Sequence, residues 1–228
     1  MKALVLLSGG QDSTTTLYWA KMMFDEVEAV SIFYGQRHRA ELAAADEIAR
    51  IAGVRRTVLE APVLGSLGDS ALVGDPGAHK TFETGSRADR AAPEGLPTSF
   101  VPGRNMLFLT LAGALAVREG IKDIVTGVCQ TDYSGYPDCR REFVDSLEKT
   151  LGMAMPSSSG PFRIHTPLMY MTKAETVRLA RRFPGCWDAL AHSLTCYNGA
   201  RPGCGTCPSC DLRAKGFAEA GEIDPASV

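Results

Sequence analysis

The string Ser8-Gly9-Gly10-Gln11-Asp12-Ser13-Thr14 directly follows an apolar run, Ala3 to Leu7. Its two glycines let the backbone turn tightly and come close to an anion. The amides that open a following helix, with the hydroxyls of Ser13 and Thr14, can donate hydrogen bonds to that anion. This is phosphate-binding chemistry. The lysine of a Walker loop, G-x-x-x-x-G-K-[ST], is missing, so positive charge must come from elsewhere. Arg104 heads an apolar helix in "VPGRN", and Lys173 follows a strand in "TPLMYMTKAE". Either cation could reach a phosphate at the first loop. The alternative for each is a solvated surface charge. G-x-G-x-x-G is absent, which weakens a dinucleotide-binding reading.

Cys196, Cys204, Cys207 and Cys210 carry the spacing C-x7-C-x2-C-x2-C in "CYNGARPGCGTCPSC". Two overlapping C-x2-C pairs with Gly and Pro between them suit a tetrahedral thiolate site, and four thiolates leave zinc no open position. Such a Zn²⁺ is structural, contributing several kcal/mol of the roughly 10–16 kcal/mol seen in zinc-finger peptides to a tail with little core of its own. An iron–sulfur cluster uses similar ligands. His192 is a possible substitute ligand, or an ordinary polar residue. Arg201, Arg213 and Lys215 are placed to offset the thiolate charge. Cys129, Cys139 and Cys186 lack metal spacing, and Cys186 reads as packing.

A third group lies in "GVCQTDYSGYPDCR", residues 127–140. Gln130, Thr131, Asp132, Tyr133, Ser134, Tyr136, Asp138 and Arg140 crowd hydrogen-bonding groups behind a strand. Tyrosine rings could stack a planar base while a carboxylate receives its N–H groups. A plain polar loop with Gly-Pro turns has the same composition.

These residues need a scaffold, and the chain provides an alternating one. Strands are expected over 3–8, 27–34, 56–61, 122–128 and 163–169. Helices are expected over 12–24, with Asp12 or Ser13 as its cap, and over 37–53, 104–120, 141–155 and 172–183. The 104–120 segment is apolar nearly all round and should be buried. Thr172 and Glu175 form a capping box. Residues 65–99, rich in Gly and Pro, read as an irregular insertion, either a surface loop or a lid. Repeated β-α units imply a parallel sheet with helices on both faces, whose ligands bind at the carboxyl ends of the strands. The expected organisation is an α/β domain over 1–185 and a cysteine-rich segment over 186–228.

With 228 residues, 45% hydrophobic and 22% charged, the chain has an ordinary globular composition. A net charge of −2 gives no basic field for nucleic acid. Ala3 to Leu7 is too short for a signal-peptide core, and no window approaches the roughly 20 apolar residues of a membrane span. A cytoplasmic protein is expected, its cysteines serving as ligands, core residues or reactive thiols rather than disulfides.

S-G-G-x-D-S after an N-terminal strand resembles the PP-loop of the N-type ATP pyrophosphatases. Together, SGGQDSTT, YGQRHRAE, VPGRN, GVCQTDYSGYPDCR, TPLMYMTKAE and TCYNG…GCGTCPSCDLRAKGF are similar to the QueC family of 7-cyano-7-deazaguanine synthases over roughly residues 3 to 220. The insertion matches least. Thr16 and His192 depart from the family's usual Cys and acidic residue.

The resemblance implies a Rossmann-like, adenine nucleotide α-hydrolase-like fold with a small four-cysteine zinc segment. It implies an ATP-dependent ligase that joins 7-carboxy-7-deazaguanine and ammonia through adenylated intermediates in queuosine precursor biosynthesis. ATP would lie on Leu7, Ser8, Gly9, Gly10, Gln11, Asp12, Ser13, Thr14, Thr15, Thr16 and Leu17, with Mg²⁺. Asp12, Arg104 and Lys173 would act in catalysis, and Gln130, Asp132, Tyr133, Tyr136, Asp138 and Arg140 would hold the deazaguanine. The chain leaves no room for a recognisable glutaminase domain, so free ammonia is the expected donor. No nucleic-acid or membrane partner is expected, and a homodimer is plausible from the family. The rivals are a PP-loop tRNA sulfur transferase, kept open by Cys129 and Cys139, and a non-enzymatic zinc module binding nucleic acid or a partner.

Overall fold

The computed structural model describes residues 1–36, 39–66, 70, 72–73, 99–131, 135–155 and 160–227. Most of the 65–99 insertion, together with Asp132, Tyr133 and Ser134, therefore lies outside the described residues.

Five parallel strands form one sheet in the order β3-β2-β1-β4-β5, with β1 (Lys2–Leu6), β2 (Glu26–Phe33), β3 (Arg55–Glu60), β4 (Asp123–Val125) and β5 (Arg163–His165). β1 is central. It registers Val5 against Ala29 of β2 and Leu4 against Ile124 of β4. Side chains alternate across a strand, so a run without polar breaks supplies both faces. Ala3, Val5 and Leu7 pack with α1 (Gln11–Met23), α2 (Ala40–Ala52) and α6 (Cys186–Ala191), joined by Ala180 of α5 (Lys173–Arg181). Leu4 packs the other way, with Val30, Ile124 and Ile164, against α3 (Arg104–Arg118) and α4 (Arg141–Ala154). The chain thus carries helices on both faces, as its alternation implies. α7 (Pro208–Ala220) packs along α5.

Several boundaries differ from expectation for physical reasons. β4 and β5 are three residues each. Residues 126–129 leave the ladder after Thr126 and turn into the cleft described below, and 167–170 form turns. α3 is not buried all round, because Met106 and Val117 face outward while Leu109, Ala112, Leu115 and Ala116 face the core. α1 starts at Gln11 with Gly10 as its N-cap and no side-chain cap. The Ser13 hydroxyl instead donates to Gly10 O at 3.0 Å. The Thr172–Glu175 capping box is present, with Thr172 Oγ1 accepting from Glu175 N at 3.2 Å. The cysteine-rich tail is more ordered than its composition suggests. Cys186, Ala189 and Leu190 of α6 enter the core with α1 and α2, and burial pushes the Cys186 thiol up to about 12. No helix among the described residues is long and apolar enough to cross a membrane.

One turn fixes the rest. Gly9 has φ +92°, and a Cβ there would lie inside contact distance of Glu41 O and 2.8 Å from Ala45 N. The first turns of α2 thus rest directly on the loop after β1. Gly9→Ala is expected to lower unfolding free energy by about 2–4 kcal/mol, combining backbone strain with overpacking. Gly53→Ala, also at positive φ but with nothing within 4 Å, should lose only the backbone part, about 1–2 kcal/mol. Urea denaturation of the two variants measures the difference.

Candidate active site

The strand order reverses between β1 and β4, since β2 and β3 extend to one side and β4 and β5 to the other. A crevice is expected at such a switch point, outside the carboxyl ends of the strands. A cleft of about 290 Å³ lies there.

One wall is the turn after β1. Ser8, Gly10, Gln11, Asp12 and Ser13 line it, with Leu7 at its base. Gly9, Thr14, Thr15, Thr16 and Leu17 do not. The three threonines are fully buried, and their hydroxyls donate to the carbonyls of Gly10, Gln11 and Asp12 at 2.8, 3.1 and 2.8 Å. Ser13 Oγ is 3.0 Å from Ser8 Oγ. Gln11 is almost fully buried, and its Nε2 has no partner. A helix N-terminus with an unsatisfied amide beside it suits an anion.

Lys173 closes this wall from far along the chain. Its ammonium lies 2.5 Å from Asp12 Oδ2. The capping box fixes where α5 begins, and α7 packs tightly behind, since a Cβ on Gly216 would meet Lys173 Cβ at 2.7 Å. Lys173 is therefore held at the loop rather than left in solvent.

Arg104 occupies the opposite wall. Its guanidinium stands 5.6 Å from the centre of the Tyr136 ring and hydrogen-bonds to Tyr34. Burial disfavours its charge, but Tyr34, Tyr136, Tyr197 and Asp138 outweigh that and hold it protonated. Tyr136 hydrogen-bonds to Ser99 Oγ at 2.5 Å and to Tyr197. Burial pushes Tyr34 up to about 12 and raises Tyr136 and Tyr197 as well. Glu41, from the first turn of α2, also faces this cleft. Burial raises its carboxyl to about 7, with Arg104 opposing the shift.

The 130–140 segment divides. Tyr136 lines the cleft, as do Cys129 and Cys139. Asp138 sits behind, where its carboxylate accepts the amide of Asn105 at 2.9 Å and so anchors the start of α3. Gln130 Oε1 accepts the amide of Arg141 at the start of α4. Arg140 is exposed. Glu41, Tyr34, Asn105 and Tyr197 were not singled out in the sequence. Glu41 and Tyr197 stand in the strings YGQRHRAE and TCYNG, and the carboxyl-edge rule applied to β2 would have pointed to the first.

The four cysteine sulfurs of 196, 204, 207 and 210 lie within 4.8 Å of one another. Cys204 and Cys210 are 4.0 Å apart. Four sulfurs about 2.3 Å from one tetrahedral ion would stand about 3.8 Å apart, so the cluster could hold a single metal ion. Against burial, hydrogen bonds from Thr206 and the Cys207 amide pull Cys204 down to about 5, whereas burial and the neighbouring sulfurs push Cys210 up to about 12. The Cys204 thiolate forms readily here, whereas burial opposes ionisation of Cys207 and Cys210. Arg201, Arg213 and Lys215 are engaged elsewhere than expected. Arg201 donates to His192 O, Arg213 pairs with Asp224 at 2.5 Å, and Lys215 pairs with Asp211. The cysteine segment reaches the cleft: Leu194, Thr195 and Tyr197 line it, and Leu194 N donates to Gly9 O at 2.8 Å.

Comparison with known proteins shows the family and the fold. A family model described as queuosine biosynthesis protein QueC matches residues 2–221. A 7-cyano-7-deazaguanine synthase of Chromobacterium violaceum is 55% identical over 226 residues, 98% of this chain and 92% of that protein. One from Laribacter hongkongensis is 53% identical over 223 residues, 98% of this chain and 93% of that protein. Among solved structures, the U34-tRNA thiolase NcsA from Methanococcus maripaludis, with its [4Fe-4S] cluster, superposes with a TM-score of 0.50 at 15% identity. That match covers 95% of this chain and 64% of the thiolase, and it shows the shared fold.

If the sulfurs act together, Cys207→Ser should reduce bound metal from about one ion per chain to a small fraction of that. Elemental analysis of purified protein reads this out, and undiminished metal would refute a four-thiolate site.

Proposed function

The chain belongs to the QueC family, and on that premise we propose how its cleft converts 7-carboxy-7-deazaguanine and ammonia, with ATP, into 7-cyano-7-deazaguanine. A carboxylate resists nucleophiles because it is already negative. Attack of its oxygen on the α-phosphorus of ATP releases pyrophosphate and replaces the charge with AMP, a good leaving group. Ammonia adds to the acyl carbon, and AMP departs with the electron pair of the C–O bond. The amide oxygen then attacks a second ATP. Loss of AMP and of both amide N–H protons leaves the nitrile, so one site serves both adenylations.

The residues take roles in this scheme. Ser8, Gly10, Gln11 and Ser13 bind the phosphates at the head of α1. Lys173 neutralises the charge that develops as pyrophosphate leaves, and Asp12 orients Lys173. Arg104, kept charged among the tyrosines, faces the substrate carboxylate. Tyr136 offers its ring to the deazaguanine. The observation that carries the assignment is the Lys173–Asp12 pair, which brings a cation to a loop that has none of its own.

In the same reading the thiolates hold one Zn²⁺, which supplies structural cross-linking when bound. The sulfur separations support a single ion. A [4Fe-4S] cluster places a different iron at each thiolate and sets the sulfurs further apart. The ion would organise Leu194 to Tyr197 against the cleft. Mg²⁺ would neutralise charge on the ATP phosphates, and Asp12, which lines the cleft, would be its protein ligand. A cysteine set spaced for metal ligation fits a cytoplasmic location. Homodimerisation follows from the family resemblance, and light scattering tests it.

Incubation with ATP, ammonium and 7-carboxy-7-deazaguanine should give the nitrile, AMP and pyrophosphate by mass spectrometry. Formation of ADP and phosphate would contradict the scheme. Lys173→Ala should slow pyrophosphate release about 10²–10³-fold while circular dichroism still shows a folded chain. Unchanged release would remove Lys173 from its role.

A further inference from the structure

Ammonia is mostly ammonium at neutral pH, and ammonium has no lone pair with which to attack an acyl carbon. The cleft therefore needs a proton acceptor near the point where the substrate carboxylate meets the α-phosphate. Among the described residues, two carboxyl groups line the cleft, those of Asp12 and Glu41. Asp12 is committed to Lys173 at 2.5 Å. The phenols of Tyr34, Tyr136 and Tyr197 are made weaker acids by burial and stay protonated. The sulfurs of Cys129 and Cys139 are engaged, the first with Met171 O at 3.2 Å and the second with Asn105 Nδ2 at 3.2 Å.

Glu41 is left, and its place is fixed. Its backbone carbonyl rests on Gly9 of the phosphate turn. Its side chain faces Arg104 from α3 and Tyr34 from the end of β2. It therefore stands between the loop assigned to the phosphates and the arginine assigned to the carboxylate. We propose that Glu41 is the proton acceptor that turns bound ammonium into the attacking ammonia. The inference rests on the ligase reading of the cleft. One proton passes from ammonium to the Glu41 carboxylate. Nitrogen forms a bond to the acyl carbon, the C–O bond to AMP breaks with its electron pair on AMP, and the second surplus proton of nitrogen goes to solvent. Burial makes Glu41 more basic than an ordinary carboxylate, close to working pH, which suits it to this transfer. Arg104 also gives an ammonium beside Glu41 a competing cation, so the carboxylate is shared rather than sealed in one ion pair.

Glu41→Gln separates this role from adenylation. ATP–pyrophosphate exchange with 7-carboxy-7-deazaguanine, without ammonia, should stay within a few-fold of wild type. Ammonium-dependent amide formation at neutral pH should fall about 10²-fold. At fixed total ammonium, the wild-type rate should level off above about pH 7, while the variant keeps climbing as free ammonia accumulates. Hydroxylamine, already a free base at neutral pH, should restore acyl transfer by forming the hydroxamate. Unchanged amide formation, or exchange and hydroxamate formation lost in step with it in a folded protein, would overturn the proposal. Should Gln unfold the chain, Glu41→Asp is read the same way: loss of amide formation with exchange retained supports the role, and wild-type amide formation overturns it. Absence of exchange in the wild type would instead defeat the ligase reading itself.

Discussion

Three parts of the chain meet on Gly9. Its amide plane begins the turn into α1, the backbone of α2 at Glu41 and Ala45 lies against its Cα, and the amide of Leu194 donates to its carbonyl. A side chain at this position would separate all three. The phosphate turn, the carboxyl of Glu41 and the cysteine-rich segment are thus placed by one close backbone approach. This explains how a loop without a lysine can be part of a complete site. The loop contributes amides and a helix terminus, and the residues that approach it contribute charge.

The cations arrive by different means. Lys173 is positioned locally by the capping box of α5 and from behind by Gly216 of α7. Arg104 is positioned by Asp138, which anchors the start of its helix, and by three phenols that keep its charge favourable in a protein-lined place. Tyr197 couples the cysteine segment to this wall, because it lies one residue after Cys196 and bonds to Tyr136. Ordering of the cysteine segment and shaping of the cleft are therefore mechanically linked.

Much of this could be read from the sequence where the determining interactions are local. The four cysteines are close in sequence, so their spacing already encoded a compact cluster. The strand–helix alternation encoded a parallel sheet, and Thr172 with Glu175 encoded the start of α5. What escaped depends on distant packing. Nothing near Glu41 announces that α2 will rest on Gly9, and nothing near Tyr197 announces that the tail will reach across the loop. Likewise the spacing around Gln130, Asp138 and Arg140 does not say that two of them will hold helix starts and the third will face solvent. β4 and β5 are shorter than the expected segments because the residues beyond them leave the ladder, those after Val125 lining the cleft and those after Thr166 forming turns.

In the proposed reaction the cleft joins the substrate carboxylate to the α-phosphate of ATP. Its most direct test follows oxygen. With 7-carboxy-7-deazaguanine labelled by ¹⁸O in its carboxylate, mass spectrometry of the released AMP should find one ¹⁸O atom transferred from substrate to the phosphate of AMP. Unlabelled AMP, or label in inorganic phosphate instead, would contradict the account.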